Sequence, residues 1–470
     1  MSSAGSGNLE RARAVAMMLP RTIVPRARAV TAAAKSRLLG FVARRALAWQ
    51  RARGRSPLAL LPASVTMPLR RNGLDPLPAL AELRSTQPVS KLPVPFGVNI
   101  WLVTGYEQAK EVLADTERFS NDFANISADP SLVAAIGGDA DNKDPGGLGM
   151  ADPPDHTRLR KILTPEFTMR RLSRLTPRLE QIVEGQLDAM AAAAGRGGEP
   201  GAKAVDLMKL FSLPIPALAI CELLGVPYSD RDEFQRLSVA RFDLFAGAGA
   251  SLGAISESLA YLMRVVAEQR KDPGDGLLGM IIREHGADID DRELAGLADG
   301  ILVGGFETTA SMLALGALVL LQDPSTRDLI RTEEDAIGPF VEELLRYLAV
   351  VQVAFPRFAR ADCEVGGEQI AAGDMVLVSL SGADRDPALA DGAGDLEQVD
   401  PRRNPTRHLA FGYGAHRCIG AELAKMELRI AYPALVRRFP MMRLAVEPKD
   451  LSYRQTSIVY GVDELPVLLG

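Results

Sequence analysis

The sequence predicts a mainly α fold, a large single domain of long helices with small peripheral β-sheets. Three observations carry this. Residues 290–322 sustain an apolar helical pattern far longer than any strand, and 338–348 and the segment from Cys418 repeat it on a shorter scale. Strand-like alternation with glycine turns is confined to 97–106 and 363–381. No internal repeat or composition shift divides the chain after about residue 60, although 470 residues, 47% of them hydrophobic, would fill more than one domain. The expected division is an extension over 1–60 and one domain over 61–470.

The extension carries twelve Lys/Arg against a single acid, Glu10. It has no apolar run long enough to span a bilayer, and arginines recur where a signal peptide would be apolar. Over residues 30–52, Leu38, Leu39, Phe41, Val42, Leu47 and Trp49 alternate with Lys35, Arg37, Arg44, Arg45 and Arg51. That pattern suits a helix in peripheral contact with an anionic membrane. The competing expectation is a disordered basic tail, or an overlong start with Met17 or Met18 as the first residue.

Within the domain, 97–106 reads as a strand and 137–149 as a polar, glycine-rich loop. Asp152-Pro153-Pro154-Asp155 leads into a basic helix at His156–Leu163, and the Ala/Gly-rich stretch 190–204 reads as a loop between helices. The long helix of 290–322 opens with acids and closes at Asp323-Pro324. Asp299, Glu307 and paired glycines make it a buried core helix and not a membrane span. The last helix is expected to start at Cys418, with Ile419, Leu423, Met426 and Ile430 on its apolar face and Glu422, Lys425 and Arg429 on the other. Pro433 is expected to kink or end it.

Bulk composition excludes some functions. A net charge of −5 argues against a nucleic-acid binder. Cys221, Cys363 and Cys418 are odd in number, with neither CxxC nor zinc spacing, so no disulfide framework is expected. A reducing cytoplasm is the simpler setting.

The most informative stretch is Phe411-Gly412-Tyr413-Gly414-Ala415-His416-Arg417-Cys418-Ile419-Gly420. It puts a thiol in a glycine-rich turn at a helix start, where free N–H groups and the helix dipole favour the thiolate. Gly412 and Gly414 permit a tight turn, Gly420 leaves room for a flat macrocycle, and Phe411 would pack beside the sulfur and exclude water. Cys221 and Cys363 read as ordinary buried cysteines. His156 and Arg160, four apart, share one helix face. Alone they would be an ordinary solvated basic helix. Glu307 sits mid-helix in Gly304-Gly305-Phe306-Glu307-Thr308-Thr309, where a carboxylate needs a partner or a task, and the adjacent hydroxyl can compete for backbone bonds. The bland alternative is a kinked core helix with Glu307 in a salt bridge.

The FxxGxxxCxG pattern of 411–420 resembles the haem-binding loop of the cytochrome P450 superfamily, and its fuller form resembles the soluble bacterial members. Several motifs agree in order and spacing over roughly residues 65–470. The resemblance implies haem b (iron protoporphyrin IX) with Cys418 as axial metal ligand, a thiolate that favours O–O cleavage. It implies that His156, Arg160, Arg357 and His416 contact the haem propionates, with Arg360 a near rival to Arg357. It implies that Thr308 hydrogen-bonds O2 and Glu307 relays protons, while Gly304 and Gly305 leave space above the iron. Glu343 and Arg346, i,i+3 on a helix, would join Arg403 in a structural network.

The activity so implied is that of a haem-dependent monooxygenase, inserting one atom of O2 into a hydrophobic small-molecule substrate by hydroxylation or epoxidation. No flavin or nicotinamide fingerprint is present, so two electrons would come from a ferredoxin or flavodoxin with its NAD(P)H-dependent reductase. Arg417, Lys425 and Arg429, joined by Arg158 and Lys161, would form a basic docking face, or else a scattered solvated one. Substrate contacts are expected from 121–150, Phe242–Phe245, Val303 and Phe306, Val350–Phe355 and Ile458-Val459. The rival functions are a peroxide-driven haem-thiolate peroxygenase, disfavoured by the intact Glu307–Thr308 pair, and a non-catalytic haem-binding sensor or carrier. Departures from the family's pattern are modest: Asp384 stands where many relatives have Asn, Val399 replaces a frequent Phe, and Asn404-Pro405-Thr406-Arg407 is atypical.

Overall fold

A computed structural model describes the chain apart from residues 1–61, 95–98, 127–146, 196–202, 231, 235, 238–251, 391–393 and 404–405. The expected extension, most of the expected loop over 121–150 and the region Phe242–Phe245 thus lie outside the described residues. Seven helices organise the rest: α1 Asp155–Leu163, α2 Thr176–Ala194, α3 Pro214–Leu224, α4 Leu252–Lys271, α5 Asp291–Gln322, α6 Ile337–Leu348 and α7 Ala421–Arg438.

The spine is α5. Asp290 caps it by accepting the Glu293 N–H, and Asp323 closes it while accepting the N–H groups of Ser325 and Thr326, which start the next helix. Its length and apolarity would let it cross a membrane, but Leu294, Leu297, Leu313 and Leu318 are buried among other helices. It packs on α3, α4 and α7. The crossing with α7 is unusually close. The Tyr432 hydroxyl donates to the Met312 carbonyl at 2.5 Å, and a Cβ at Gly316 would lie 2.0 Å from that hydroxyl oxygen. Only glycine fits there.

A second core lies under a five-stranded sheet formed by β1 Val89–Leu92, β2 Ile100–Val103, β3 Phe119–Ser120, β4 Arg357–Ala359 and β5 Met375–Val378, ordered β1-β2-β5-β4-β3. The β2–β5 pair is parallel, with Val376 beside Trp101, and the other pairs are antiparallel. The 363–381 segment adds a separate hairpin, Cys363–Val365 with Glu368–Ile370. Helix α6 ends at Ala349 in the left-handed region, φ 34°. Buried Arg71 takes the Leu348 and Ala349 carbonyls at 2.6 and 2.9 Å and so holds that turn.

Four local expectations change. The strand over 97–106 is only Ile100–Val103, because Tyr106 already begins a helix capped by Gly105. Residues 190–194 belong to α2, whose alanines extend it to Gly195. The last helix begins at Ala421, with Gly420 as its cap, so Cys418 lies ahead of it. Pro433 does not end that helix, which runs on to Arg438 with Ala431–Val436 buried on all sides. Packing there outweighs one missing N–H donor. On the polar face of α7, Glu422 and Arg429 are half-exposed and Lys425 is buried.

Candidate active site

The cysteine loop closes on itself. The Cys418 N–H donates to the Phe411 carbonyl at 2.8 Å, and Gly412 N–H to the Leu409 carbonyl at 2.7 Å. Gly412 and Gly414 have φ of 68° and 73°, and a Cβ at 414 would meet the Ala114 backbone at 2.7 Å. The turn therefore requires glycine twice over. Cys418 itself is exposed. Desolvation pushes the thiol up, while the Gly420 N–H and the charges of Arg417 and Arg160 pull it down. A Cβ at Gly420 would stand 3.9 Å from Sγ, ordinary contact, so no protein atom demands glycine there. The Phe411 ring is bracketed by His408, centroids 5.9 Å apart, and by the Lys425 ammonium at 5.7 Å.

Four cationic residues from three segments meet near the loop. The rings of His156, on α1, and His416, in the loop, lie 4.0 Å apart. Arg160, one turn along α1, and Arg357, on β4, press charge on His416. His416 is pushed down to about 3, first by burial and then by these neighbours. Arg357 is pushed down to about 10, again by burial. Nε2 of both histidines is buried without a hydrogen-bond partner. Among the described residues no salt bridge holds Arg160 or Arg357; Arg357 donates to the Phe355 carbonyl at 3.0 Å. Arg360 is set apart from them, since its guanidinium pairs with Asp152 at 2.6 Å. Two imidazole nitrogens without a partner and two guanidiniums without a carboxylate call for an anion, and the two carboxylates of haem beside a thiol fit it.

On α5, Gly304 and Thr308 form an open face on a helix that is otherwise largely buried. The Thr308 hydroxyl donates to the Gly304 carbonyl at 2.8 Å, yet α5 is one continuous helix through this point. A Cβ at Gly304 would meet nothing, whereas one at Gly305 would come 3.1 Å from Ile220 Cδ1. The open room expected of both glycines belongs to Gly304, and Gly305 serves the packing of α3. Glu307 lies buried in the ion pair that the bland alternative foresaw: Arg454 Nη1 donates to its Oε1 at 3.0 Å. Burial still outweighs that partner and pushes Glu307 up to about 7. Arg454 escaped sequence reasoning, because a lone arginine in the C-terminal segment gives no periodic or spacing signal.

Glu343 and Arg346 form a fully buried two-bonded pair at 2.8 Å, and Arg403 Nε donates to Glu343 at 3.1 Å. Arg346 spends its remaining donors on the carbonyls of Asp384, Leu396 and Gln398, which pins the segment before the cysteine loop.

With this geometry in view, comparison with known proteins is informative. The Cytochrome P450 family model matches residues 254–462. Cytochrome P450 FAS1 of Rhodococcoides fascians is 40% identical over 404 residues, spanning 86% of this chain and 98% of its own. The chain belongs to the cytochrome P450 family. Cytochrome P450 monooxygenase PikC of Streptomyces venezuelae is 39% identical over 396 residues, 84% of this chain and 91% of that one. The solved structure of P450 StaH from glycopeptide antibiotic biosynthesis superposes with a TM-score of 0.74 at 38% identity, covering 85% of this chain and 99% of that one. The mainly α P450 fold and the monooxygenase activity are thereby those of this chain. Membership also brings haem held by a cysteine thiolate, the use of O2, and dependence on a redox partner.

The surface expectations of this P450 need correction. Lys425 is not part of an open basic face: it is buried, and its ammonium sits 2.9 Å from Glu342. Arg429 shares that carboxylate at 3.3 Å, as does His408 at 3.1 Å, and His408 and Lys425 pull Glu342 down to about 2 against its burial. Arg158 pairs with Glu293. Arg417 and Lys161 remain exposed. Of the expected substrate contacts, Phe306, Val350, Val353 and Val459 are core. Phe355 and Ile458 are instead 59% and 49% exposed, large apolar side chains without cover.

Proposed function

We propose that Cys418 is the axial thiolate of haem b, that His156, Arg160, Arg357 and His416 receive its propionates, and that Glu307 and Thr308 manage protons on the oxygen side. The observation that carries this is the buried donor cluster beside the exposed thiol, with two imidazole nitrogens lacking any acceptor. Phe411 and Gly420 border the sulfur, and the Phe411 carbonyl fixes the Cys418 backbone. Glu343, Arg346 and Arg403 act structurally, holding the chain that leads into the loop.

Bound haem supplies reductive activation of O2, one atom going into a C–H or C=C bond and the other leaving as water for two electrons and two protons. The protein's part is to aim and to protonate. Thr308, anchored on the Gly304 carbonyl, presents its hydroxyl oxygen to the open face of α5. Glu307, poised at about 7, both takes up and releases a proton at neutral pH, while Oε1 stays with Arg454. The exposed Phe355 and Ile458 suit a hydrophobic small molecule. The exposed cations Arg417 and Lys161 suit an acidic ferredoxin or flavodoxin served by an NAD(P)H-dependent reductase. Residues 61–470 form the catalytic unit, with 1–60 a basic extension to it, in the cytoplasm.

The test is the spectrum of the purified, dithionite-reduced protein with carbon monoxide. A thiolate-type red-shifted Soret band is expected. A band of the nitrogen-ligated type, in protein that retains its haem, would overturn the assignment of Cys418.

A further inference from the structure

Arg454 reaches Glu307 from the far end of the chain. It stands on a C-terminal hairpin bridged by Tyr453 and Val462, where its own N–H donates to the Gly461 carbonyl at 2.9 Å. Its guanidinium, almost wholly buried, donates from Nη1 to Glu307 Oε1 at 3.0 Å and from Nη2 to Ser311 Oγ at 2.8 Å. Glu307 and Ser311 are one turn apart on α5, so a single side chain grips two successive turns. The opposite arm is shaped around it. A Cβ at Gly461 would lie 1.9 Å from Arg454 Nη2 and 2.8 Å from Ser311 Oγ.

The hairpin is also fixed at its tip. Thr456 takes φ 61°, a rare conformation for a β-branched residue, and gives its N–H to the Leu69 carbonyl at 2.9 Å. Buried Gln352 binds the Ile458 carbonyl through its N–H at 2.9 Å and the Ser457 carbonyl through its side-chain amide at 2.8 Å. Between these anchors the Ile458 side chain is left uncovered. Few charges bear on the carboxyl: Arg454 acts on Glu307 directly, and Asp463, on the returning arm, acts on Arg454.

We propose that Arg454 is a positioning residue for proton transfer, a guanidinium delivered to Glu307 by the C-terminal hairpin and accommodated there by Gly461. The inference rests on the proton role assigned to Glu307 above. It makes the acid of α5 answer to a hairpin that also carries Ile458, so anything that displaces the hairpin changes how firmly Glu307 holds its proton. The sign follows from the charge. The guanidinium favours the carboxylate, and losing it leaves burial unopposed, so Glu307 keeps its proton to higher pH.

The test reads the carboxyl itself in the holoenzyme. The infrared C=O band of protonated Glu307, assigned by its loss in Glu307→Gln, is titrated in the wild type, Arg454→Met, Arg454→Lys and Gly461→Ala. The midpoint is expected to rise by about one pH unit or more in Arg454→Met, a tenfold or greater change in proton affinity. The same direction is expected in Gly461→Ala, which displaces the arginine without removing its charge, while Arg454→Lys returns toward the wild type. A midpoint unmoved in Arg454→Met or in Gly461→Ala overturns the proposal. Should Arg454→Met fail to retain haem, Gly461→Ala decides. Because the readout needs no turnover, a moved midpoint together with unchanged electron coupling in Thr308→Ala would sustain the positioning and sink the proton role of the pair.

Discussion

Asp384 offers the sharpest test of how the cysteine loop is held. It is wholly buried. Its Oδ1 accepts the Leu409 N–H at 2.6 Å, and its Oδ2 has no partner among the described residues. Burial pushes it from 3.8 up to about 7, against the pull of His408, the Leu409 N–H, Arg346 and Arg385. The folded protein thus holds a proton that the unfolded chain releases above about pH 4. Stability must fall as pH rises from about 4 through about 7 and stay level above that. At about 1.4 kcal/mol per pH unit, a shift of roughly three units corresponds to a penalty of about 4 kcal/mol at pH 8 as a ceiling, and about 2–4 once relaxation of the site is allowed for. Asp384→Asn keeps the acceptor for Leu409 and cannot ionise. Its gain over the wild type should therefore grow by about 2–3 kcal/mol between roughly pH 4.5 and pH 8. Urea unfolding of both proteins at the two pH values, followed by circular dichroism, measures this, and comparing at each pH cancels every other titrating group. A difference that is the same at both pH values would mean that Asp384 does not hold its proton on folding, and the account of this site would fail.

Three further outcomes are expected. Thr308→Ala should keep the wild-type carbon monoxide spectrum but lower the ratio of product to electrons consumed several-fold, with the balance recovered as hydrogen peroxide. Arg357→Ala removes one charged donor from the cluster, and a charged hydrogen bond of about 1.5–3 kcal/mol predicts haem loss to apomyoglobin faster by roughly ten- to hundredfold. Glu343→Ala strands the guanidinium of Arg346, itself 1% exposed. Breaking a buried pair from one side should cost about 3–5 kcal/mol in unfolding free energy, and the replacement Glu343→Gln should recover only part of it.

Much of this arrangement was legible in the sequence because its signals are local. The 290–322 helix showed in periodicity and in its acids at one end and Asp-Pro at the other. The cysteine loop showed in four residues at fixed spacing, and His156 and Arg160 in a four-residue step. What stayed hidden depends on contacts between distant segments. Glu307 read as a carboxylate in need of a partner or a task, but nothing pointed to Arg454, 147 positions away, as that partner. Gly304 and Gly305 look alike in a sequence, and only the approach of Ile220 separates open face from packing. Lys425 and Arg429 read as a solvated stripe because helical spacing says which face a residue takes, not what covers that face. Here Glu342 meets it, and one carboxylate holds Lys425, Arg429 and the His408 ring.

These misreadings share a cause, which is that the protein sorts its charges by whether a carboxylate answers them. Around α6 and α7 the buried cations have one: Arg346 and Arg403 share Glu343, and Lys425 shares Glu342 with half-exposed Arg429 and the His408 ring. Arg360, close in sequence to Arg357, goes to Asp152. Buried Arg71 has no carboxylate among the described residues but spends its donors on carbonyls. The cluster of His156, Arg160, Arg357 and His416 departs further, since among the same residues none of the four makes a salt bridge. Burial and then the neighbouring charges depress His416 to about 3, so the cost of leaving the site without a salt bridge falls on the guanidiniums of Arg160 and Arg357. That cost is recovered only when an outside anion enters. The family's cofactor brings two carboxylates, and an unfilled cluster should repel itself until they arrive. Haem binding should then tighten α1, β4 and the cysteine loop together, because each contributes a donor and none has a carboxylate partner to give up.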